Sequence, residues 1–484
     1  MKLQELLIHW ILNPLGRIMA KIPDSVRTAG FYMGGVGLFL INFIVSMGIF
    51  VPRYFLVFAL GCLCLGLMIL CMLSEKLRPV RFSTILSLFW FGAGILMLQA
   101  GLRLNTDNLS DAIMFLAAYP ILWLVWGQWD FSKIAEMLCG LCRWSFVAFF
   151  IISLLFFPIS TAQYPGMFQN VNGTGLYLAL VLACLTVELW QREKQDAGFW
   201  RDLVLLGLAS AMLFYTNSRT GELAILCVWL FSGILYAWSN RRAVRSVLLK
   251  RFLPLVLSVL ILVPATVYLF TFAEPVSRTL SDAVHTAITD VMHPSQNDGQ
   301  EPGTPDDGQH QEGPDGLQGF IQKTEQKGSV ADKSADQYST GRLSIWKEFA
   351  KHVQMFGTGG EISYYIASRY QNYGTAHNTP LEFAIYDGLF CGLLYLLFNI
   401  LAGLKSIRYA VRHSEEVYSF LPLMVTIAFG VCSMVGSLKT PFYYMISMYY
   451  FFVQTPLMTC PQCSNFENSF RDSERIRNAE SKCS

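Results

Sequence analysis

Residues 252–273 read FLPLVLSVLILVPATVYLFTFA, an uncharged apolar run that Glu274 brings to an end. A helix of this length crosses the ~30 Å hydrocarbon core of a bilayer. Working outward from it, comparable runs lie near residues 29–50, 54–73, 84–100, 112–128, 140–158, 173–190, 202–217, 220–238, 379–404, 417–437 and 441–459. The 484 residues are 53% hydrophobic and only 14% charged, so the pattern predicts an all-α integral membrane protein with about 12 transmembrane helices. A net charge of +2, with no basic patch on the scale of a fold, speaks against a nucleic-acid partner and leaves the lipid bilayer as the first one.

Lysine and arginine placement predicts the orientation, because cytoplasmic loops retain positive charge. Arg17, Lys21 and Arg27 precede the first span; Lys76, Arg78 and Arg81 follow the second; Arg241, Arg242, Arg245, Lys250 and Arg251 follow the eighth; Lys405, Arg408 and Arg412 follow the tenth. The alternate short loops hold only Arg53, Arg103, Arg219 and Lys439. Both termini are therefore expected in the cytoplasm. Residues 1–28, interrupted by Pro14, Lys21, Pro23 and Arg27, are expected to lie on the cytoplasmic surface and do not read as a cleavable signal.

The domain organisation follows. Residues 1–273 hold the amino-terminal segment and helices 1–9, 274–378 form a long extracytoplasmic loop between helices 9 and 10, 379–459 hold helices 10–12, and 460–484 form a cytoplasmic tail. Residues 293–336 are rich in Pro, Gly, Asp, Gln and Ser and too poor in large apolar residues to build a core, so they read as a disordered tether. Asp306 and Asp307 in it are not expected to hold a metal, since a flexible acidic linker cannot pre-organise a cation. Residues 339–372 read instead as a helical roof: Leu343, Trp346, Phe349, Val353 and Phe356 recur at helical spacing and Gly357 closes the run. No cysteine falls in the loop, as an oxidising exterior favours. Cys460 and Cys463 have the spacing of half a zinc site, and without a second pair they read as a reduced tail.

Polar groups concentrate against lipid at three outward places. Asn170 and Asn172 stand in an uncharged loop before the sixth span, where carboxamides either cap a helix or hydrogen-bond sugar hydroxyls. Ser218, Arg219 and Thr220 form a tight turn, and Arg219 is a cation where the topology rule disfavours one; a guanidinium there either snorkels to head groups or grips phosphate oxygens in a bidentate manner. His377 and Asn378 end the loop, followed by Glu382, and an imidazole with an ordinary pKa near 6.5 can take a proton from a hydroxyl at neutral pH. Arg342 adds a cation at the first turn of the roof helix, where the helix dipole makes an anionic partner welcome. Tyr364, Tyr365, Tyr370 and Tyr373 read as interfacial anchors of the roof.

In order and placement these segments resemble the O-antigen ligase and O-antigen polymerase superfamily of polytopic membrane glycosyltransferases. The marks are Asn170-Val171-Asn172 with Gly175, Ser218-Arg219-Thr220-Gly221, Gly341-Arg342 leading to Trp346, Gly357-Thr358-Gly359, and His377-Asn378 before Leu381-Glu382. Val171 departs from the proline that such families often carry between the two asparagines. The resemblance implies a GT-C-like helical bundle in a bacterial cytoplasmic membrane with its active site extracytoplasmic. It implies His377 as the catalytic base, Arg219 and Arg342 as ligands of the diphosphate of an undecaprenyl-diphosphate-linked glycan, and Asn170, Asn172, Ser218, Asn378 and Glu382 as candidate glycan or acceptor contacts. No metal and no cofactor are expected, because fixed arginines can neutralise the leaving group. The acceptor is a glycan, a lipid or an envelope polymer for a ligase; a polymerase, a protein O-oligosaccharyltransferase and, in another class, an exporter of lipid-linked glycans share the same coarse features.

Overall fold

The computed structural model describes residues 2–47, 54–103, 106–157, 164–168, 170–192, 195–239, 241, 248–292, 342–358, 375–440 and 442–460. The tether 293–336, Asp306, Asp307, Gly341, Gly359, the four roof tyrosines and Cys463 lie outside the described residues.

The described residues are helical nearly throughout, as a chain in lipid must be to satisfy its own backbone. An amino-terminal helical stretch, α1 (residues 2–19), precedes α2 (Asp24–Ser46), α3 (Tyr54–Cys71), α4 (Thr84–Arg103), α5 (Asn108–Trp126), α6 (Phe131–Phe156), α7 (Val171–Trp190), α8 (Ala197–Thr216) and α9 (Arg219–Ser239). Then come α10 (Leu253–Met292), the short α11 (Arg342–Ala350) and α12 (Thr379–Tyr386), α13 (Leu389–Arg412), α14 (Leu421–Val435) and α15 (Met445–Val453). Ten of these are long and apolar enough to cross a membrane: α2 to α10 and α13. The last two expected spans are present as the shorter apolar helices α14 and α15. Among the described residues the strand pairing is a two-residue antiparallel ladder, Arg81–Phe82 against Thr459–Cys460.

Three boundaries differ from the sequence expectation. Helix α10 does not stop at Ala273; it runs on through Pro275 to Met292, 40 residues or about 60 Å, twice the hydrocarbon thickness. Arg278 pairs with Glu274 one turn back, so the helix continues once the apolar run is spent. The single span expected at 379–404 is two helices, α12 and α13, broken at Asp387 and Gly388. The roof helix ends at Ala350, and Phe356 is exposed instead of continuing its buried face, which Ile345 and Phe349 form.

The last two differences share a cause. Gly357 (φ +83°) and Gly388 (φ +105°) let two turns meet backbone to backbone, with Thr358 N–H donating to Ile385 O at 2.8 Å and Leu389 N–H to Gln354 O at 2.9 Å. A Cβ on Gly388 would stand 2.5 Å from Met355 O, and one on Gly357 2.3 Å from Tyr386 O. That contact interrupts both helices and fastens the roof onto α12, where Ile345, Phe349, Ala376 and Ile385 make a small buried cluster.

The core centres on α7, apolar nearly all round and 94% buried along its span. It packs against α6, α8, α9, α14 and α15. In lipid such contacts depend on close fit more than on water exclusion. The α7–α9 approach shows it: a Cβ on Gly175 would sit 2.2 Å from Ser218 Oγ, and one on Gly221 2.7 Å from Gly175 O. A second aromatic core, in which Trp90 stacks on Phe115 at 3.9 Å, joins α4, α5, α13 and α15.

Candidate active site

Helix starts build the site. Asn170 caps α7, its Oδ1 accepting from Asn172 N–H at 2.9 Å and Gly173 N–H at 3.5 Å, which leaves Asn172 exposed on the first turn. Ser218 caps α9 by accepting from Gly221 N–H, and Asn217 before it turns the chain through the left-handed region at φ 52°. Asn378 caps α12, accepting from Leu381 N–H at 3.0 Å while its Nδ2 donates to Met434 O at 3.0 Å. His377, immediately before that cap, has φ 48°. A non-glycine residue held there costs of order 1–3 kcal/mol and persists only where its surroundings over-determine it.

These starts converge on one cavity of about 230 Å³. Asn170, Asn172 and Gly173 of the α7 start line it with Thr220 of α9, Arg342 of α11, Thr375 and His377, and with Gly436, Ser437, Thr440, Tyr443 and Tyr444 between α14 and α15. Burial, and then the positive charge of Arg342, hold the half-buried His377 imidazole below its ordinary pKa of 6.5, so the ring is neutral at pH 7. A neutral imidazole beside a guanidinium can accept a proton while its neighbour holds an anion.

The remaining sequence-nominated residues are arranged otherwise. Arg219 opens α9 next to Thr220 with its side chain exposed, and it is not among the residues that line the cavity. Ser218 is buried against Gly175. Asn378 is buried and spends its carboxamide on the backbone. Glu382 is 1% exposed behind the His377 turn, where its Oε2 accepts from Ser437 Oγ at 2.6 Å. Burial pushes its carboxyl up to about 7, against the opposing pull of Ser437, of Lys439 and of the amides of Ala376 and His377.

Sequence reading missed the segment from Gly436 to Tyr444. Thr379 Oγ1 donates to Gly436 O and accepts from Leu438 N–H, both at 2.9 Å, so this segment is stitched to α12. Lys439 is buried beside it, 2.8 Å from Asp387 Oδ2 and 3.4 Å from Asp111 Oδ2, with its ammonium 4.7 Å from the Tyr386 ring centroid. Burial lowers its pKa, and the two carboxylates more than reverse that, so it stays charged. A signal was present: Lys439, like Arg219, is a cation in a short loop where the topology rule disfavours one. Among the described residues no three His, Cys, Asp or Glu side chains gather as metal ligands would.

No curated protein matches the chain. Residues 204–396, which run from α8 into α13 and include Ser218, Arg219, Arg342, His377, Asn378 and Glu382, match the family described as O-Antigen ligase; the α7 start with Asn170 and Asn172 lies outside the match. The chain is thus a multi-span helical membrane protein with a polar cavity at its helix starts, and over residues 204–396 it is similar to the O-antigen ligase family.

Proposed function

We propose that the protein transfers a glycan from undecaprenyl diphosphate to an acceptor hydroxyl at the outer face of the bacterial cytoplasmic membrane, without a metal. The observation that carries this reading is Arg342 and His377 lining one cavity at the ends of apolar helices, beside the carboxamides of Asn170 and Asn172. A donor with an isoprenoid tail is anchored in the bilayer, so its diphosphate lies at the level of helix ends.

His377, neutral at pH 7, removes the proton of the acceptor hydroxyl as its oxygen bonds to the anomeric carbon. The bond from that carbon to the phosphate oxygen breaks, and the electron pair stays with the departing lipid diphosphate. Arg342 stabilises the charge growing there, and Arg219, one residue from the lining Thr220, receives the part of the diphosphate nearest the lipid. Asn172 and Asn170 meet sugar hydroxyls at the opposite wall. By the family resemblance the reaction inverts the donor carbon. The reading is of a ligase, in which the acceptor is a lipid core or envelope polymer.

The test is turnover by purified protein in detergent with a chelator. Acceptor-dependent release of undecaprenyl diphosphate is expected, falling about 100-fold or more in His377→Ala. Release of the same product without any acceptor dependence, or translocation of the carrier lipid with no release, overturns the proposal.

A further inference from the structure

The described residues 436–440 and 442–444 connect the apolar helices α14 and α15 without forming a helix themselves. Backbone of that kind persists in a membrane protein where other protein buries it or where it lines a cavity, and here both hold. Thr379 of α12 holds Gly436 O and Leu438 N–H. Lys439 sits among Asp387, Asp111 and, at 3.2 Å, Asn108 Oδ1. Asn42 of α2 donates from its Nδ2 to Tyr443 O. Phe442, at φ 65°, lays its ring over Gly61 of α3, where a Cβ would stand 2.4 Å from it. A bulky side chain in the left-handed region is an outlier that its surroundings impose. Helices α2, α3, α5 and α12 thus fix this segment from behind.

What the anchors present in front is uniform in kind. Leu438, Lys439 and Phe442 are buried in the bundle, and Ser437, Thr440, Tyr443 and Tyr444 line the cavity. Each of those four carries a hydroxyl, and none is charged at pH 7. Ser437 spends its Oγ on Glu382 at 2.6 Å, which leaves Thr440 and the two tyrosines as the surface a ligand meets. A phenol ring is an apolar face with a polar tip, and a hydroxyl both donates and accepts. Together they complement a pyranose, which has C–H faces and a rim of hydroxyls. The cation that lines this cavity, Arg342, comes from α11 instead. The family match ends at residue 396, short of this wall, so the likeness bears on Arg342 and His377 and not on what Thr440 and the tyrosines take.

Which sugar sits there follows from where the wall is attached. Thr379, two residues after His377, stitches Gly436 and Leu438 to the start of α12, so the wall stands on the side of the cavity that carries the base. A base takes its proton from a hydroxyl within hydrogen-bond reach, whereas the diphosphate goes to the guanidinium of Arg342. We propose that Thr440, Tyr443 and Tyr444 form the acceptor subsite and that its ligand is a neutral pyranose unit, seated with its ring on the tyrosines and one hydroxyl towards His377. This rests on the reading of His377 as the base. A serine or threonine of a protein offers neither a ring face nor a rim of hydroxyls, so the acceptor is a glycan.

The experiment compares wild type with Thr440→Val, Tyr444→Phe, Tyr443→Ala and Tyr444→Ala, each purified as the full chain. Turnover is measured with an undecaprenyl-diphosphate-linked glycan as donor and, as acceptor, either a lipid-core oligosaccharide or a peptide containing serine and threonine. A second arm needs no donor: saturation-transfer NMR in micelles reads binding of the methyl glycosides of glucose, galactose and N-acetylglucosamine. With the oligosaccharide, kcat/KM for the acceptor falls about tenfold in Thr440→Val and Tyr444→Phe and further in the two alanine variants, while donor KM stays within about threefold of wild type. Glycoside saturation seen with wild type falls by about half or more in the same variants. Thr440→Val and Tyr444→Phe keep the shape of the side chain, so they carry the test if an alanine variant fails to fold. An unmoved acceptor KM in those two, a donor KM that rises in step with the acceptor KM, or transfer to the peptide overturns the proposal. So does wild type that saturates no glycoside, or equal saturation in wild type and variants. If wild type binds a glycoside, the variants lose it and nothing is turned over, the transferase reading fails and the sugar subsite stands.

Discussion

Replacing Lys439 by methionine isolates what one buried cation contributes to the wall of the cavity. Its ammonium lies 2.8 Å from Asp387 and 3.4 Å from Asp111, and the three side chains are 8%, 0% and 6% exposed. At an effective dielectric constant near 20 these separations correspond to about 6 and about 5 kcal/mol of attraction, largely spent on desolvating the ions. The net loss is better bounded through the carboxylates left behind. Asp387, fully enclosed, cannot stay charged without Lys439, and protonating its carboxyl, of ordinary pKa 3.9, at pH 7 costs about 4 kcal/mol. That agrees with the roughly 3–5 kcal/mol seen when one partner of a buried pair is removed. The loss shrinks with acidity, because the same protonation costs only about 1.5 kcal/mol at pH 5. In the variant the folded-state pKa of the aspartate is raised, so stability falls as pH climbs. Reversible unfolding in mixed micelles, followed by tryptophan fluorescence at both pH values, measures this. Adding Asp387→Asn and Asp111→Asn to Lys439→Met recovers most of the loss. A single-variant effect under about 1 kcal/mol, or a triple variant no more stable than the single one, refutes the reasoning.

Other outcomes follow from the same geometry. The acid limb of kcat/KM rises through a pKa below 6.5 as His377 loses its proton, and Arg342→Gln shifts that limb upward towards 6.5, as a pH–rate profile will show; an unmoved limb separates the two residues. Arg342→Ala raises donor KM about tenfold or more, and lysine restores only part of it, since a point charge does not replace a bidentate fork. Gly175→Ala places a methyl 2.2 Å from Ser218 Oγ, so α7 and α9 part; about 1–3 kcal/mol of stability and much of the turnover are lost, and Ser218→Gly in the same chain recovers part of both. Prolonged chelation, assayed by release of undecaprenyl diphosphate, leaves the rate unchanged.

The membrane class and the helical architecture were legible along the chain because hydropathy is local: a run of about 20 apolar residues has one stable solution in lipid, whatever its neighbours do. His377 stood out for a related reason, as an ionisable group just before such a run, and Arg342 as a cation opening the short amphipathic helix of the loop. Where helices stop was less so. The run at 379–404 is apolar across Asp387 and Gly388, and nothing in its own composition says that Gly357, thirty residues earlier, lays its backbone on that point and breaks the helix. Glu382 reads from its neighbours as a polar residue beside a catalytic histidine and is in fact enclosed, because Ser437, 55 residues on, closes over it. Asn378 likewise turns inward to Met434. The chain on its own determined which segments are apolar enough to cross the membrane and where polar side chains interrupt them. Tertiary packing alone decided which of them share a cavity, because that depends on contacts between segments far apart in sequence, where a glycine's missing Cβ or one buried lysine sets the distance between two walls.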